Sequence, residues 1–431
     1  MENLCSNFVP KFTYTHFTPL IRANFSKNTF FEKPRRVLDR CAVKNPNAKQ
    51  RRSRLLHLAR RRDKLKTGNS ISYRNTASLI SLVILAASLL NDKSSLEQDT
   101  WIALIFAGII ITPVYLIYAR TLKLFPEKGF FDIIELLFGK FIGTILTSLM
   151  LIYGLWVCSI TLFNFSEYTS LISLENTPKI VIILTMLSVA VYLACAGINV
   201  LGRWSLIMIA SLIFNLIITF ILASRSLNPD YLKPVFNHSI GQIAVSSLKI
   251  GTGAFSDVVL VMSLFAAFKK GDSTYKAYMY GLISGALFLI LLYLRNIMIL
   301  SPGMVEAAVY PSYTANRVIY IGSFLEHVES LTSFNLMLLG ITKTALCLSA
   351  ASISAAKIFK LKRHAFTIIA SALLALIVSR SVFGTTEQII TILRVYLPWS
   401  TPFFIIIPIA VWIAAEVRVR KNSASLSSPA G

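Results

Sequence analysis

Apolar residues run along this chain in long stretches rather than in short alternations, and ten of the stretches are long enough to form membrane-crossing helices. About 20 mainly apolar residues in a helix cover the ~30 Å of bilayer hydrocarbon. The stretches fall at 75–91, 101–122, 141–165, 179–197, 204–223, 240–268, 276–299, 329–356, 364–383 and 396–416. Ser78, Ser81 and Ser88 dilute the first, which is short; the sixth and eighth are long enough to be tilted or broken. The pattern predicts an all-α polytopic membrane protein with ten transmembrane helices.

Lys and Arg near span ends are retained on the cytoplasmic side during insertion. With the amino terminus inside, the cytoplasmic loops hold fifteen basic residues, among them Arg120, Lys128, Lys269, Lys357 and Arg418, and the opposite side holds eight. Both termini are therefore expected to be cytoplasmic, as an even number of spans requires. Ten spans divide into five and five, and an odd repeat inverts the second half relative to the first, the geometry of an inverted-repeat transporter. A ten-helix bundle without internal symmetry is the competing arrangement.

Transporters of that build bind substrate near the midplane, where a helix unwinds and frees backbone N–H and C=O groups. The first helix of each half is the place to look. In the sixth span, Gly251, Thr252, Gly253, Ser256 and Asp257 interrupt two apolar halves. Glycine leaves helical dihedrals cheaply, and a restarted half-helix would aim its amides at an anion such as a substrate carboxylate. A small-residue packing face is the plainer alternative. In the matching first span, Ala86, Ala87 and Ser88 form the one small-residue cluster, without glycine. Asp257 has to face protein or water, because an acid at mid-bilayer costs about 2.5–3.5 kcal/mol on insertion scales. Lys343, in the middle of the eighth span, needs an acid partner or a wet cavity; the candidates are Asp257 and Glu167, and the pairing is either functional or structural.

Composition agrees with the span count. Of 431 residues 55% are hydrophobic and 15% charged, and the mean hydropathy is +0.64; soluble domains average about 25% charged. A water-soluble enzyme is excluded as an expectation. Cys5, Cys41, Cys158, Cys195 and Cys347 have no metal or disulfide spacing, and the five histidines are scattered. No catalytic His-x-x-x-His, Gly-x-Ser-x-Gly or phosphate loop is present, so no enzyme activity, metal or cofactor is expected.

Several segments, in order, carry a resemblance. They are Ile71-Ser72-Tyr73-Arg74, Gln98-Asp99-Thr100-Trp101, Asn176-Thr177-Pro178, Val200-Leu201-Gly202-Arg203, Phe255-Ser256-Asp257, and Ile321 to Glu329 ahead of Lys343. From about Ser70 to Lys421 the chain resembles the spore-germination permease family, the B subunits of germinant receptors within the amino acid/polyamine/organocation transporter superfamily. The resemblance implies the ten-helix inverted-repeat fold and a small germinant, usually an amino acid, held near the first and sixth helices. It also implies assembly with A and C subunits in the spore inner membrane or the bacterial cell membrane. The chain departs from the family with Ser256-Asp257 where Gly-Glu is usual, and with Glu326-His327-Val328-Glu329 where Glu-Arg-Leu-Asp is usual. Ala86-Ala87 stands where the family often has a Gly-Ser break.

Charge is concentrated at the start: residues 1–74 hold 18 of the 43 Lys and Arg against four acids, a net +14 of the chain's +23. Residues 1–69 are expected to be a basic, disordered cytoplasmic extension, 70–421 the membrane domain and 422–431 a cytoplasmic tail. The Arg-rich stretch Lys49–Lys66, with Leu55, Leu56, Leu58 and Leu65 interleaved, is also suited to an anionic leaflet. Nucleic-acid binding has no motif behind it. Because no apolar core precedes Leu79, a cleaved signal peptide is not expected. The preferred reading is a germinant-sensing membrane subunit, and the alternative is a proton-coupled amino-acid transporter.

Overall fold

In a computed structural model, the chain is described over residues 71–88, 96–126, 128–172, 174, 176–264, 272–318, 328–361, 364–382 and 399–427. The expectations for residues 1–69 and for Ile321–His327 lie outside the described residues. Among the described residues every extended regular element is a helix: α1 Tyr73–Ser88, α2 Thr100–Leu124, α3 Phe130–Ile172, α4 Lys179–Ala196, α5 Ile198–Leu222, α6 Ile240–Ala254, α7 Val258–Leu264, α8 Thr274–Leu300, α9 Pro302–Ala307, α10 Pro311–Val318, α11 Val328–Phe359, α12 His364–Val382 and α13 Ile407–Ser427. A π-helical segment, Pro402–Ile406, leads into α13.

Nine of these stretches, with α6 and α7 counted as one, are long and apolar enough to cross a membrane among the described residues. The remaining predicted span is α1, whose 16 described residues are buried from Thr76 to Ser88. Outward-facing side chains on the spans are apolar: Phe141 is 80% exposed and Tyr192 73%. A protein surface of that kind has to be solvated by lipid, and the chain is an integral membrane protein.

Packing follows the inverted repeat. The first span packs on the seventh (α1 on α8) and the second on the sixth (α2 on α6); the third packs on the ninth (α3 on α12) and the fourth on the eighth (α4 on α11). Each pair maps onto the other when five spans are exchanged for five, so the bundle is the predicted five-plus-five inverted repeat. α1 crosses α8 closely because α8 offers glycines: a Cβ on Gly281 would lie 2.6 Å from Ile80 Cβ, and one on Gly285 3.0 Å from Ile84 Cδ1. Two glycines four residues apart let helix backbones approach in this way. Ser81 Oγ completes the contact by donating to the Gly281 carbonyl at 3.0 Å.

Boundaries differ from the apolar runs in instructive places. α3 begins eleven residues before the third run and kinks at Gly139, whose φ of +75° is costly for other residues. Its leading turns bury Phe130, Phe131, Ile133 and Ile134 while Asp132 and Glu135 both hold Lys357 Nζ, at 2.5 and 2.6 Å. Amphipathic turns of this sort escape a search for all-apolar windows. The sixth span is broken and the eighth, α11, is one continuous helix. α13 runs through the expected tail as far as Ser427.

Candidate functional site

The interruption in the sixth span falls later than the glycines suggest. Gly251 and Gly253 are both helical within α6, and the non-helical residues are Phe255, Ser256 and Asp257. Gly251 is spent on packing: a Cβ there would stand 3.3 Å from Ile111 Cγ1 on α2. Thr252 turns its hydroxyl back to the Leu248 carbonyl at 2.9 Å, as serine and threonine do in helix interiors. The rod is therefore not snapped at its two glycines. α1 is likewise continuous through Ala86 and Ala87 to Ser88, all three buried; alanine has the highest helix propensity, so this cluster holds a helix together rather than breaking it. The described residues thus contain the break in the sixth helix and none in the first up to Ser88.

At the break, freed polar groups are taken up by side chains from other spans. The Phe255 carbonyl accepts a 3.0 Å hydrogen bond from Tyr115 of α2. Asp257 Oδ1 accepts from Tyr153 of α3 at 3.0 Å, and Oδ2 lies 2.7 Å from Lys343 Nζ of α11. The Ser256 hydroxyl sits 3.4 Å from Asp257 Oδ1, a long contact. Asp257 is 3% exposed and Lys343 6%, so the pair is cut off from bulk water. Of the two acids the sequence left open for Lys343, Asp257 is the one it meets; Glu167 instead pairs with Lys179 at 2.6 Å. In a low-dielectric interior neither charge of such a pair can be removed singly at small cost.

Aromatic rings gather around Tyr153, the phenol that donates to Asp257. Tyr153 stacks on Phe403 with centroids 4.7 Å apart, Trp399 lies 5.0 Å from Phe403, and Trp156 lies 5.6 Å from Trp399. Phe403 belongs to the π-helical turn, and the carbonyl of its neighbour Phe404 accepts a hydrogen bond from Tyr118 of α2. One helix, α2, thus uses Tyr115 and Tyr118 a turn apart to hold both irregular segments, and the two rings stack at 5.8 Å. Tyr278 of α8 meets both edge-on, and its buried hydroxyl has no hydrogen-bond partner among the described residues.

Tyr115, Tyr118, Tyr153, Trp399 and Phe403 were not among the residues the sequence singled out. An aromatic residue inside an apolar run looks the same whether it faces lipid or a site; only the phenolic oxygen, which requires a partner at depth, gives a hint. No cluster of His, Cys, Asp and Glu suited to a metal ion occurs among the described residues.

Comparison with known proteins agrees with this architecture. A family model described as spore germination protein matches residues 70–383. The chain is 28% identical to spore germination protein A2 of Bacillus subtilis over 59% of this chain and 71% of that one. It is 22% identical to spore germination protein KB of the same organism over 82% of this chain and 97% of that one. Among solved structures, a manganese transporter of Eremococcus coleocola aligns with a TM-score of 0.56 at 12% identity, covering 80% of this chain and 84% of that one. MHP1, a nucleobase-cation-symport-1 family transporter closed around bromovinylhydantoin, aligns with a TM-score of 0.54 at 13% identity, covering 78% of each chain. At these identities the structural likeness speaks to fold alone.

Proposed function

The chain belongs to the spore germination protein family, and on that premise we propose that it is the membrane-embedded, germinant-sensing subunit of a spore germinant receptor. It acts without catalysis, cofactor or nucleic acid, sits in the spore inner membrane with both termini cytoplasmic, and works with A and C subunits. Its ligand is a small molecule of the amino-acid class.

The observation that carries this reading is the ion pair of Asp257 and Lys343, buried at the unwound stretch Phe255–Asp257. An amino acid is itself an ion pair of matching size. Its ammonium can replace Lys343 beside Asp257 while its carboxylate takes Lys343, so that no buried charge is left alone during exchange. The rings of Tyr153, Trp399 and Phe403 supply an apolar wall for the side chain. Parting the pair requires α7 and α11 to shift relative to each other, and a ligand that binds the parted state better shifts the bundle toward it. Partner subunits that contact the bundle differently in the two states then receive the signal.

A proton-coupled amino-acid transporter is the second reading, favoured by the transporter-like fold and by a carboxylate at the break that could alternate between Lys343 and a proton. Purified protein in proteoliposomes separates the two. The sensor binds labelled amino acid without sustained uptake under a proton gradient; accumulation driven by that gradient would establish the transporter. Binding lost in both Asp257→Asn and Lys343→Ala supports the site, and normal binding by both variants would remove it.

A further inference from the structure

Arg295 lies five residues before the end of α8, far from the Asp257 pair in sequence, and its side chain is 2% exposed. A guanidinium keeps its charge under all ordinary conditions. Its partners are nonetheless all neutral: Nη1 donates to Thr219 Oγ1 at 2.6 Å, Nε and Nη2 to Asn296 Oδ1 at 3.3 and 2.7 Å, and Nη2 to the Ser312 carbonyl at 3.4 Å. No carboxylate lies within ion-pair distance of it among the described residues, and one Nη1 hydrogen has no acceptor there. This differs from Lys343 and Lys179, each of which meets an acid.

The same guanidinium lines a small cavity between α5, α8, α10 and α11. Asn215 and Asn335 line it too, and their amide groups have donors to spare. Asn215 Nδ2 donates once, to Thr332 Oγ1 at 3.2 Å, and Asn335 Nδ2 once, to the Leu331 carbonyl at 3.0 Å. Asn335 Oδ1 is occupied by the Ser211 hydroxyl at 2.6 Å. Leu212, Leu216 and Leu292 add apolar surface to the same lining. A buried cation, unfilled donors and an apolar wall in one concavity describe a receptor for a small anion with an apolar end.

We propose that this cavity is a binding site for a small carboxylate, with Arg295 as its counter-charge and Asn215 and Asn335 as further donors. The carboxylate takes the free Nη1 hydrogen, and a short alkyl substituent lies on the leucines. The site is distinct from the Asp257 pair, since Asn335 and Lys343 are eight residues apart on α11, about 12 Å along its axis.

Acetate is the probe. Full-length protein in lipid nanodiscs is unfolded thermally in sodium acetate, sodium chloride or sodium sulfate of equal ionic strength. Acetate raises the wild-type midpoint by about 2–4 °C relative to sulfate, and chloride does not. The shift is lost in Arg295→Gln and kept in Asp257→Asn, which separates this site from the germinant site proposed above. Leu216→Phe fills the cavity with Arg295 retained; it also loses the shift, and it decides the matter if Arg295→Gln does not fold. No acetate shift in wild type, an equal shift with chloride, a shift that survives Leu216→Phe, or one that vanishes in Asp257→Asn would each overturn the proposal.

Discussion

Asp257 and Lys343 can be read as a working pair or as a structural one, and the cost of breaking them separately and together distinguishes the two. Removing one partner strands the other charge in a site where both are under a tenth exposed, a loss of about 3–5 kcal/mol in buried pairs. Replacing both by neutral groups of similar size removes that penalty. Lys343→Met alone is therefore expected to lower the unfolding midpoint sharply in detergent, and Asp257→Asn with Lys343→Met to recover most of it. The double variant is nonetheless expected to bind no germinant, which a radioligand assay would register; recovered binding would make the pair structural only. Tyr115→Phe gives a gentler probe. It strips the Phe255 carbonyl of its donor, at about 1–3 kcal/mol for an unsatisfied buried acceptor. Its expected signature is a raised germinant concentration for half-maximal binding with protein still in the membrane, and unchanged binding would show that water replaces the phenol.

At the scale of helices, what could be seen in the chain beforehand was whatever repeats in composition. The runs at 101–122, 179–197 and 276–299 are close to α2, α4 and α8 because lipid demands apolar side chains on nearly every face. The break in the sixth span was visible as a polar interruption, but its position was not: glycine serves both unwinding and close packing, and only the neighbour, here Ile111 against Gly251, tells which. The tyrosines of α2 and α3 could not be placed because a site assembled from five spans leaves no spacing along any one of them. The same ambiguity hid the crossing of α1 on α8. There Gly281→Val puts methyl groups where Ile80 Cβ already stands 2.6 Å from the position of the first added carbon. Overpacking of a filled core costs about 1–3 kcal/mol. Gly281→Val is expected to reduce folded protein in a size-exclusion assay, and Ile80→Ala added to it to restore a part; no effect of Gly281→Val would mean that the helices can part without loss.

For the whole molecule, the end of the bundle that faces the cytoplasm decides from which side a ligand of the proposed kind would enter. One end gathers charge: Lys357 with Asp132 and Glu135, Arg120 with Glu416 at 2.6 Å, and Arg418 on the Leu136 carbonyl, all where α2 and α11 finish, α3 begins and the middle of α13 passes. The other end is closed by polar clamps with less basic charge. There Asp99, fully buried, accepts from the Phe236 and His238 amides at 2.9 and 3.1 Å and meets the His238 ring at 3.1 Å. The segment from Pro229 to Ser239 is thereby tied over the start of α2, next to an exposed pair of Lys233 and Asp230. Basic residues are retained inside during insertion, so the first end is expected to be cytoplasmic and the clamped end external. Single cysteines test this in a background with the native ones replaced. Asp230→Cys is expected to react with a membrane-impermeant maleimide in right-side-out vesicles and Lys128→Cys only in inverted ones. The opposite pattern would turn the bundle over and put the Asp99 clamp on the cytoplasmic side, where an external germinant could not meet it first.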